Sequence, residues 1–330
     1  MKIIVFLLTI KLLLITDANY AQQQNYTDLI RNGWGFCLKK EYTKAIKLYE
    51  AAFKLEKPIP IADRYNLSCI YALSGNSDKA FYQLFNISSD SHWDDYTHLI
   101  NDTDLHSLHG DSRWEDLKLL VLENKKNTEK HFDKALVSIL DTIYYDDQST
   151  RSKIRSMEKK FGRNSKEMDQ FWQTILQKDS INLTKVRAIL EERGWPSKKT
   201  IGKRGTSAIF LVLQHANLEV QEKYLVFIKE AVANNDLPKR QYAMFYDRLL
   251  LRRGQRQIYG TQLARSSKSN KPYVLPLEDP LNVDKRRLEM GLNSMQENLN
   301  RWNLIWEAKT YLKELPQIEA RERELRRQKS

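Results

Sequence analysis

Apolar residues recur at helical spacing along most of the chain, in two blocks that are organised differently. In residues 26–123, short apolar stripes come in pairs, as around Tyr42, Ala45 and Tyr49. In residues 134–315, the stripes are longer and are separated by Gly, Pro and Asn-containing breaks. Apolar residues spaced three and four apart give a helix one apolar face. The pattern therefore predicts a mainly α protein built from two helical domains.

The first block contains a weak internal repeat of helix pairs. Gly33 and Ala45 stand twelve positions apart, and Ser68 and Ala80 repeat that spacing. Small residues at matched positions let paired helices approach closely. The stretch NLSCIYALSGNSDKAFYQL resembles a tetratricopeptide repeat. The resemblance implies stacked helix pairs, followed by a capping segment that ends near residue 123, with a groove for a protein or peptide partner.

The second block begins after a polar segment, residues 124–133, which lacks apolar periodicity and is interpreted as a linker or as the polar start of a long helix. Residues 134–315 are predicted to form a helical domain with one small β-hairpin. In that hairpin, residues 257–263 are expected to pair with residues 273–277 across a Ser/Asn-rich loop.

Three other segments of the second block have predicted structures. The basic stretch WPSKKTIGKRG is interpreted as a loop after a helix that ends at Gly194. A long helix is predicted to begin at Val283 and to continue through Trp306. Residues 316–330 are interpreted as a charged tail, in which the stretch EARERELRRQKS is charged on all sides and is expected to fray.

The N-terminus and the net charge limit the class of partner. The chain has 54 Lys and Arg residues against 42 Asp and Glu residues, a formal charge of +12, which favours anionic partners. Residues 1–21 have the features of a secretory signal peptide, with Lys2 before a short apolar run and Ala21 before a polar stretch. Lys11 interrupts the run, which favours cleavage over retention as a membrane anchor. We therefore expect a periplasmic or secreted protein that touches the membrane only through this signal and does not bind nucleic acid.

Cysteine and histidine usage predicts no metal site and no cofactor. Cys37 and Cys69 both fall within apolar helical patterns and are interpreted as small buried residues. His106 and His109 are spaced to share one helical face, where they could chelate Zn²⁺, but no third ligand has a recognisable spacing. The sequence also lacks a dinucleotide-binding fingerprint.

The strongest candidate for a functional site is the stretch RRGQRQIYGTQ, residues 252–262, which groups cationic, amide and aromatic residues around two glycines. Together with DDQSTR, RGWPS, LVLQHA, DRLL and VDKRRLEMGL, it resembles an uncharacterised bacterial domain-of-unknown-function family. The resemblance names positions without naming a reaction. The binding positions that it implies are Gln148, Trp195, Gln214, Arg248, Gln255, Tyr259, Thr261, Gln262, Asp284, Arg286 and Arg287.

Two functions remain open from the sequence. The first is a binding or scaffold protein, with a repeat groove for a peptide and a basic pocket for an anionic small molecule or envelope glycan. The second is an envelope hydrolase or group transferase in which His215 works with Asp147 or Asp247, and Arg151 or another arginine stabilises negative charge. The enzyme hypothesis requires these side chains to meet in one accessible site.

Overall fold

Helices account for most of the protein, as the apolar periodicity predicts, and the described residues contain one two-stranded antiparallel sheet. The computed structural model describes residues 25–55, 57–266 and 271–327. The expected signal segment, residues 1–21, therefore lies outside the described residues. Within the described ranges, none of the helices has the length and apolarity needed to cross a membrane.

The chain divides into two units between His131 and Phe132. The first unit contains a helix over residues 25–38, called α1. The elements that follow it are α2 (Tyr42–Ala52), α3 (Ile61–Leu73), α4 (Ser77–Asp90), α5 (Tyr96–Asn101), a 3₁₀ helix (Thr103–Leu108) and α6 (Arg113–Glu129). Residues 124–129, expected to belong to a linker, are instead the last residues of α6.

The small residues of the sequence repeat lie where helices of the first unit pack together. Ala45, Ser68 and Ala80 have no exposed surface. A Cβ on Gly33 would lie 2.7 Å from the ring of Tyr49, so only glycine allows α1 and α2 to approach this closely. Cys37 and Cys69 are both free and buried, as expected.

The second unit contains α7 (Lys134–Arg151), α8 (Ile154–Phe161), α9 (Lys166–Arg193), α10 (Lys198–His215), α11 (Leu218–Ala233), α12 (Lys239–Arg252), β1 (Leu263–Arg265), β2 (Pro272–Val274), α13 (Val283–Glu289), α14 (Met295–Asn300) and α15 (Ala308–Arg327). Its main core lies among α7, α9, α10, α11 and α12. A smaller core joins the hairpin region to α13, α14 and α15. Because α7 packs directly against α10, residues near the C-terminal ends of both helices can meet.

The predicted hairpin is confirmed, but its strands are shorter than the expected segments and are shifted toward the connecting loop. Leu263 pairs with Val274, and Arg265 pairs with Pro272 at the end of the ladder. Gln257 and Leu277 form a separate bridge. Residues 267–270 of the connecting loop lie outside the described residues.

Three local predictions for the second unit were wrong. The helix from Val283 does not continue through Trp306, because it ends at Glu289 and a Ser294 capping box starts a new helix. The basic stretch after Trp195 is helical from Lys198 onwards, with a kink at Gly202. The expected charged tail is helical, since residues 316–327 continue α15. Ile318 buries its side chain in the smaller core, and this packing stabilises the helix there.

Candidate functional site

His215 and Asp147 form a hydrogen-bonded pair where α10 and α7 lie side by side. Nδ1 of His215 lies 2.9 Å from Oδ1 of Asp147. The Asp147 side chain is 1% exposed and the His215 side chain is 19% exposed. The carboxylate is therefore sealed in the protein, while the imidazole is partly open to solvent.

Asp147 is held as an anion by the groups around it. Arg151 donates to its Oδ1 at 2.8 Å, and Gln148 donates to its Oδ2 at 2.6 Å. Burial is the largest single influence on this carboxyl, and it raises the pKa. Three neighbours oppose it: His215 by its hydrogen bond and charge, Arg151 by its charge, and Gln148 by its hydrogen bond. Together they lower the pKa of Asp147 below its ordinary value. An ionised Asp147 accepts the Nδ1 proton of His215 and so fixes the tautomer and orientation of the ring.

Arg151 connects this pair to a second carboxylate, which the sequence analysis did not identify. Its Nη2 lies 2.7 Å from Oδ2 of Asp179, on α9. The four-residue spacing of Asp147 and Arg151 along a helix is also compatible with a solvated pair on the surface of α7. The pair does form, but it is largely buried, with Arg151 only 18% exposed.

Arg248 and Arg252, on α12, hold the backbone on either side of His215. Arg248 donates to the carbonyl of Gln214 at 3.1 Å, and Arg252 donates to the carbonyl of Ala216. Burial, together with the charges of Arg252 and Arg151, lowers the pKa of Arg248 to about 10. Among the described residues, no carboxylate forms an ion pair with Arg248.

Asp247 lies apart from the histidine and braces a loop. It has no exposed surface, and it accepts hydrogen bonds from the backbone N–H groups of Ile258, Tyr259 and Thr261 and from the Thr261 hydroxyl. Burial raises its pKa, and these hydrogen bonds oppose that shift. Within the described chain no hydrogen bond joins Asp247 to His215, so the geometry favours Asp147 over Asp247 as the partner of His215.

Other predicted residues brace the same loop from its far side. Arg287, 2% exposed, donates to the carbonyl of Tyr259 at 2.6 Å, and Arg286 donates to the carbonyl of Ile258 at 3.1 Å. Asp284 accepts the backbone N–H of Met295 at 2.7 Å. The two arginines therefore fix the backbone of residues 258–260, Asp284 holds the start of α14, and within the part of the chain that the structure describes no hydrogen bond joins any of the three to His215.

The remaining predicted residues differ in their placement. Gln262 accepts from Arg248 at 3.4 Å and so lies next to the carbonyl that precedes His215. Trp195 packs against the main core, and Gln255 is exposed. Sequence reasoning missed Gln257, which is fully buried and binds both the N–H and the carbonyl of Gln262. Its position inside the GQRQIYGTQ motif was the only signal available.

A basic cleft of about 990 Å³ lies on the second unit. Arg151 is one of its wall residues, so the cleft and the His215–Asp147 pair share a side chain. Its lining residues are Arg151, Ser152, Ile154, Arg155, Glu158, Lys159, Arg163, Trp172, Arg265, Arg301 and Trp302. Arg265 stacks on Trp302, with its guanidinium carbon 5.0 Å from the ring centre.

Two groups of side chains among the described residues have the spacing of metal ligands. One is Asp147, Asp179 and His215, and the other, in the first unit, is Cys69, Asp102 and Asp104. In the first group the Arg151 guanidinium bridges both carboxylates. In the second, Asp102 accepts hydrogen bonds from Tyr65 and Cys69. His106 and His109 belong to neither group; they lie beside each other, with ring centres 5.1 Å apart.

Comparison with known proteins identifies one family. Residues 136–309 match the model of a family of unknown function (DUF6624). No curated protein and no solved structure matches the chain. The His215–Asp147 pair, Arg248 and every residue that lines the basic cleft lie within the matched residues.

Proposed function

This chain belongs to DUF6624, a family of unknown function, and we propose that the domain it shares with that family binds an anionic ligand in the basic cleft. The observation that carries the proposal is the cleft lining, which contains six cationic side chains and one carboxylate. Low-dielectric walls that carry one sign of charge concentrate ligands of the opposite sign.

The identity of the cations favours an oxygen-rich anion. Five of the six are arginines, and a guanidinium presents a planar set of donors that matches the oxygen pairs of phosphate and carboxylate groups. The one acidic side chain in the lining, Glu158, already accepts from Arg163 at 3.2 Å. Arg151 is neutralised by Asp147 and Asp179 behind the wall. The remaining positive charge therefore includes that of Arg155, Lys159 and Arg301, for which the described residues show no ion pair.

Two tryptophans add an apolar surface to the same cleft. Trp172 is 38% exposed, and Trp302 lies beneath the guanidinium of Arg265. Flat aromatic faces bind rings of ligands and contribute to affinity without adding charge. The ligand that fits best is an anion attached to a ring, such as an acidic sugar of an envelope glycan or a phosphorylated small molecule.

We further propose that the first unit is a tetratricopeptide-like repeat that binds a protein or peptide, and that the protein is exported. The repeat is supported by the burial of Ala45, Ser68 and Ala80 at helix contacts and by the close packing of Gly33 on Tyr49. Export is supported by the sequence of residues 1–21. In an exported protein, the excess of positive charge would meet anionic envelope components.

Ligand binding can be tested with tryptophan fluorescence, because two tryptophans line the cleft. Titration of the full chain with inorganic phosphate and with pyrophosphate should quench the emission, with pyrophosphate binding more tightly. The double substitution Arg155→Glu and Lys159→Glu should weaken binding by about 10-fold or more, because each charge-assisted hydrogen bond contributes about 1.5–3 kcal/mol. Lys160 lies on the same helix, outside the cleft and over the Phe161 ring, so Lys160→Glu is the matched control. Equal affinities for the two variants would contradict the proposal.

A further inference from the structure

His215 has a ring nitrogen that the fold does not use. Nδ1 is bound by Asp147, and no described residue hydrogen-bonds the other nitrogen, Nε2. An ionised carboxylate at Nδ1 holds the proton on that nitrogen and leaves the Nε2 lone pair available to accept a proton. The arrangement is that of a general base with an orienting carboxylate.

Arg248 brings a positive charge to this histidine that the described part of the chain does not neutralise. Its Nη1 holds the carbonyl of Gln214, directly before His215, and its Nε contacts the Gln262 amide oxygen at 3.4 Å. A partly buried guanidinium bound only to neutral oxygens retains its full charge for a ligand. Arg151, on the other side of Asp147, is already paired with Asp147 and Asp179, so Arg248 supplies the positive charge beside His215 that remains for a ligand.

We infer that this site hydrolyses phosphoesters, with His215 as general base and Arg248 as the side chain that stabilises the charge of the transferred phosphoryl group. The inference deepens the proposed anion-binding function and rests on it, since Arg151 belongs both to the cleft and to the His215–Asp147 network. Fixed guanidinium groups are the usual stabilisers of phosphoryl transfer, in which negative charge spreads over the phosphoryl oxygens.

The step balances without a co-reactant. Nε2 of His215 removes a proton from water, and the water oxygen forms a bond to phosphorus as the bond between phosphorus and the alcohol oxygen breaks. The departing alcohol oxygen lies on the far side of the phosphorus from the attacking water and takes a proton from solvent, while the imidazolium releases its own proton to solvent. One phosphoester and one water become one phosphate and one alcohol, and His215 returns to its neutral form.

The test measures hydrolysis of p-nitrophenyl phosphate and bis(p-nitrophenyl) phosphate by the full chain. We expect hydrolysis of at least one probe, and we expect His215→Asn to lower kcat by about 10²–10⁴-fold with little change in KM. Asparagine can keep a donor near Asp147, so the variant should fold normally, which its melting curve will report. The matched control is His131→Asn, since His131 is an exposed histidine of the other unit.

Arg248 has a separate test. Arg248→Ala should lower kcat/KM by about 10²–10³-fold, as loss of a transition-state donor does. Arg248→Lys keeps the charge and should restore part of that loss. If Arg248 were only structural, the activity of each variant would instead fall in step with its loss of stability, whatever its charge.

Three outcomes would overturn the inference. The first is a protein that binds phosphate in its cleft and hydrolyses neither probe, a result that leaves the proposed binding function intact. The second is an equal rate for wild type and His215→Asn. The third is loss of activity on chelation with recovery on adding Zn²⁺ or Mn²⁺, which would assign Asp147, Asp179 and His215 to a metal. Failure to bind phosphate or pyrophosphate at all would instead refute the proposed function.

Discussion

Arg151 and Asp147 lie one helical turn apart on α7 and form an ion pair of 2.8 Å in which the carboxylate is 1% exposed. The second terminal nitrogen of Arg151 reaches Asp179 on α9, so one guanidinium ties two helices together beside His215. Burial makes this pair different from the many exposed ion pairs on the protein surface.

Removing the guanidinium should destabilise the second unit. Arg151→Gln leaves Asp147 buried with only His215 and Gln148 as partners, and we expect the free energy of unfolding to fall by about 2–5 kcal/mol. Urea denaturation followed by circular dichroism measures the change. Arg193→Gln is the control, since Arg193 pairs with Asp133 at the same 2.8 Å but is 49% exposed, and its effect should be much smaller. Equal losses would show that burial does not determine the strength of these pairs.

The Asp147 carboxylate should make stability depend on acid pH. Its pKa is lower in the folded chain than the ordinary Asp value of about 3.9, so the unfolded chain binds its proton more readily. The resulting stabilisation is complete above the unfolded pKa and is lost as pH falls through the folded pKa.

The measurement compares wild type with Asp147→Asn in urea at pH 7 and near pH 3. The stability difference should be large at pH 7 and should shrink at the lower pH. Asp169→Asn, an exposed change on α9, should alter stability little at either pH. A difference that stays constant with pH would mean that ionisation of Asp147 does not contribute.

The tight turn before Gln262 should be sensitive to a single added methyl group. Gly260 has φ +64°, and a Cβ there would lie 2.6 Å from the sulfur of Met295. Gly291 has nearly the same φ, +65°, with open space around it. Gly291→Ala should cost only the backbone strain of about 1–2 kcal/mol. Gly260→Ala should cost that amount plus about 1–3 kcal/mol for the clash, as thermal unfolding would measure. Identical costs would refute the close contact with Met295.

The close contact of α1 and α2 gives a similar test for the first unit. Gly33→Ala places a Cβ against the Tyr49 ring and should destabilise the unit. Gly35 lies in the same helix with nothing within 4 Å, so Gly35→Ala should stabilise it by about 0.5–1 kcal/mol through helix propensity. Hydrogen exchange of the α2 amides reports both effects. Stabilisation by both variants would argue against repeat-like packing.

Export predicts a processed N-terminus. Protein recovered from the envelope or medium of its source cell should begin at Gln22, after removal of residues 1–21. Intact-mass spectrometry checks this directly, and changing Ala21 to a bulky residue should block processing. An unprocessed chain in the cytoplasmic fraction would refute the proposal.

Helical periodicity predicted the architecture well because most of the helices bury one apolar face, and that face is visible in local sequence. The site was harder to predict. The contact between Asp147 and His215 joins residues 68 positions apart, and only the packing of α7 on α10 creates it. The helix expected from Val283 failed for a different reason: Ser294 and Glu297 cap a new helix, and this local polar signal outweighed the apolar spacing around it.

The basic cleft could not be found from the sequence because its lining comes from separate segments. Arg155 and Lys159 lie on α8, Arg265 ends β1, and Arg301 and Trp302 follow α14. Within each segment taken alone, a basic residue looks like an ordinary solvated side chain. Asp179 was missed for the same reason, since nothing near it on α9 indicates that it meets Arg151 from another helix.

Because the cleft lining is spread along the chain, the main core can form before the cleft is complete, and the ligand can bind only afterwards. The main core is built from α7 and α9 to α12 and needs neither Arg301 nor Trp302. The anion site is completed only when that later segment has folded back onto α8 and α9. The ligand therefore stabilises only domains in which residues 301 and 302 have reached the cleft, and partly folded domains gain no stability from it.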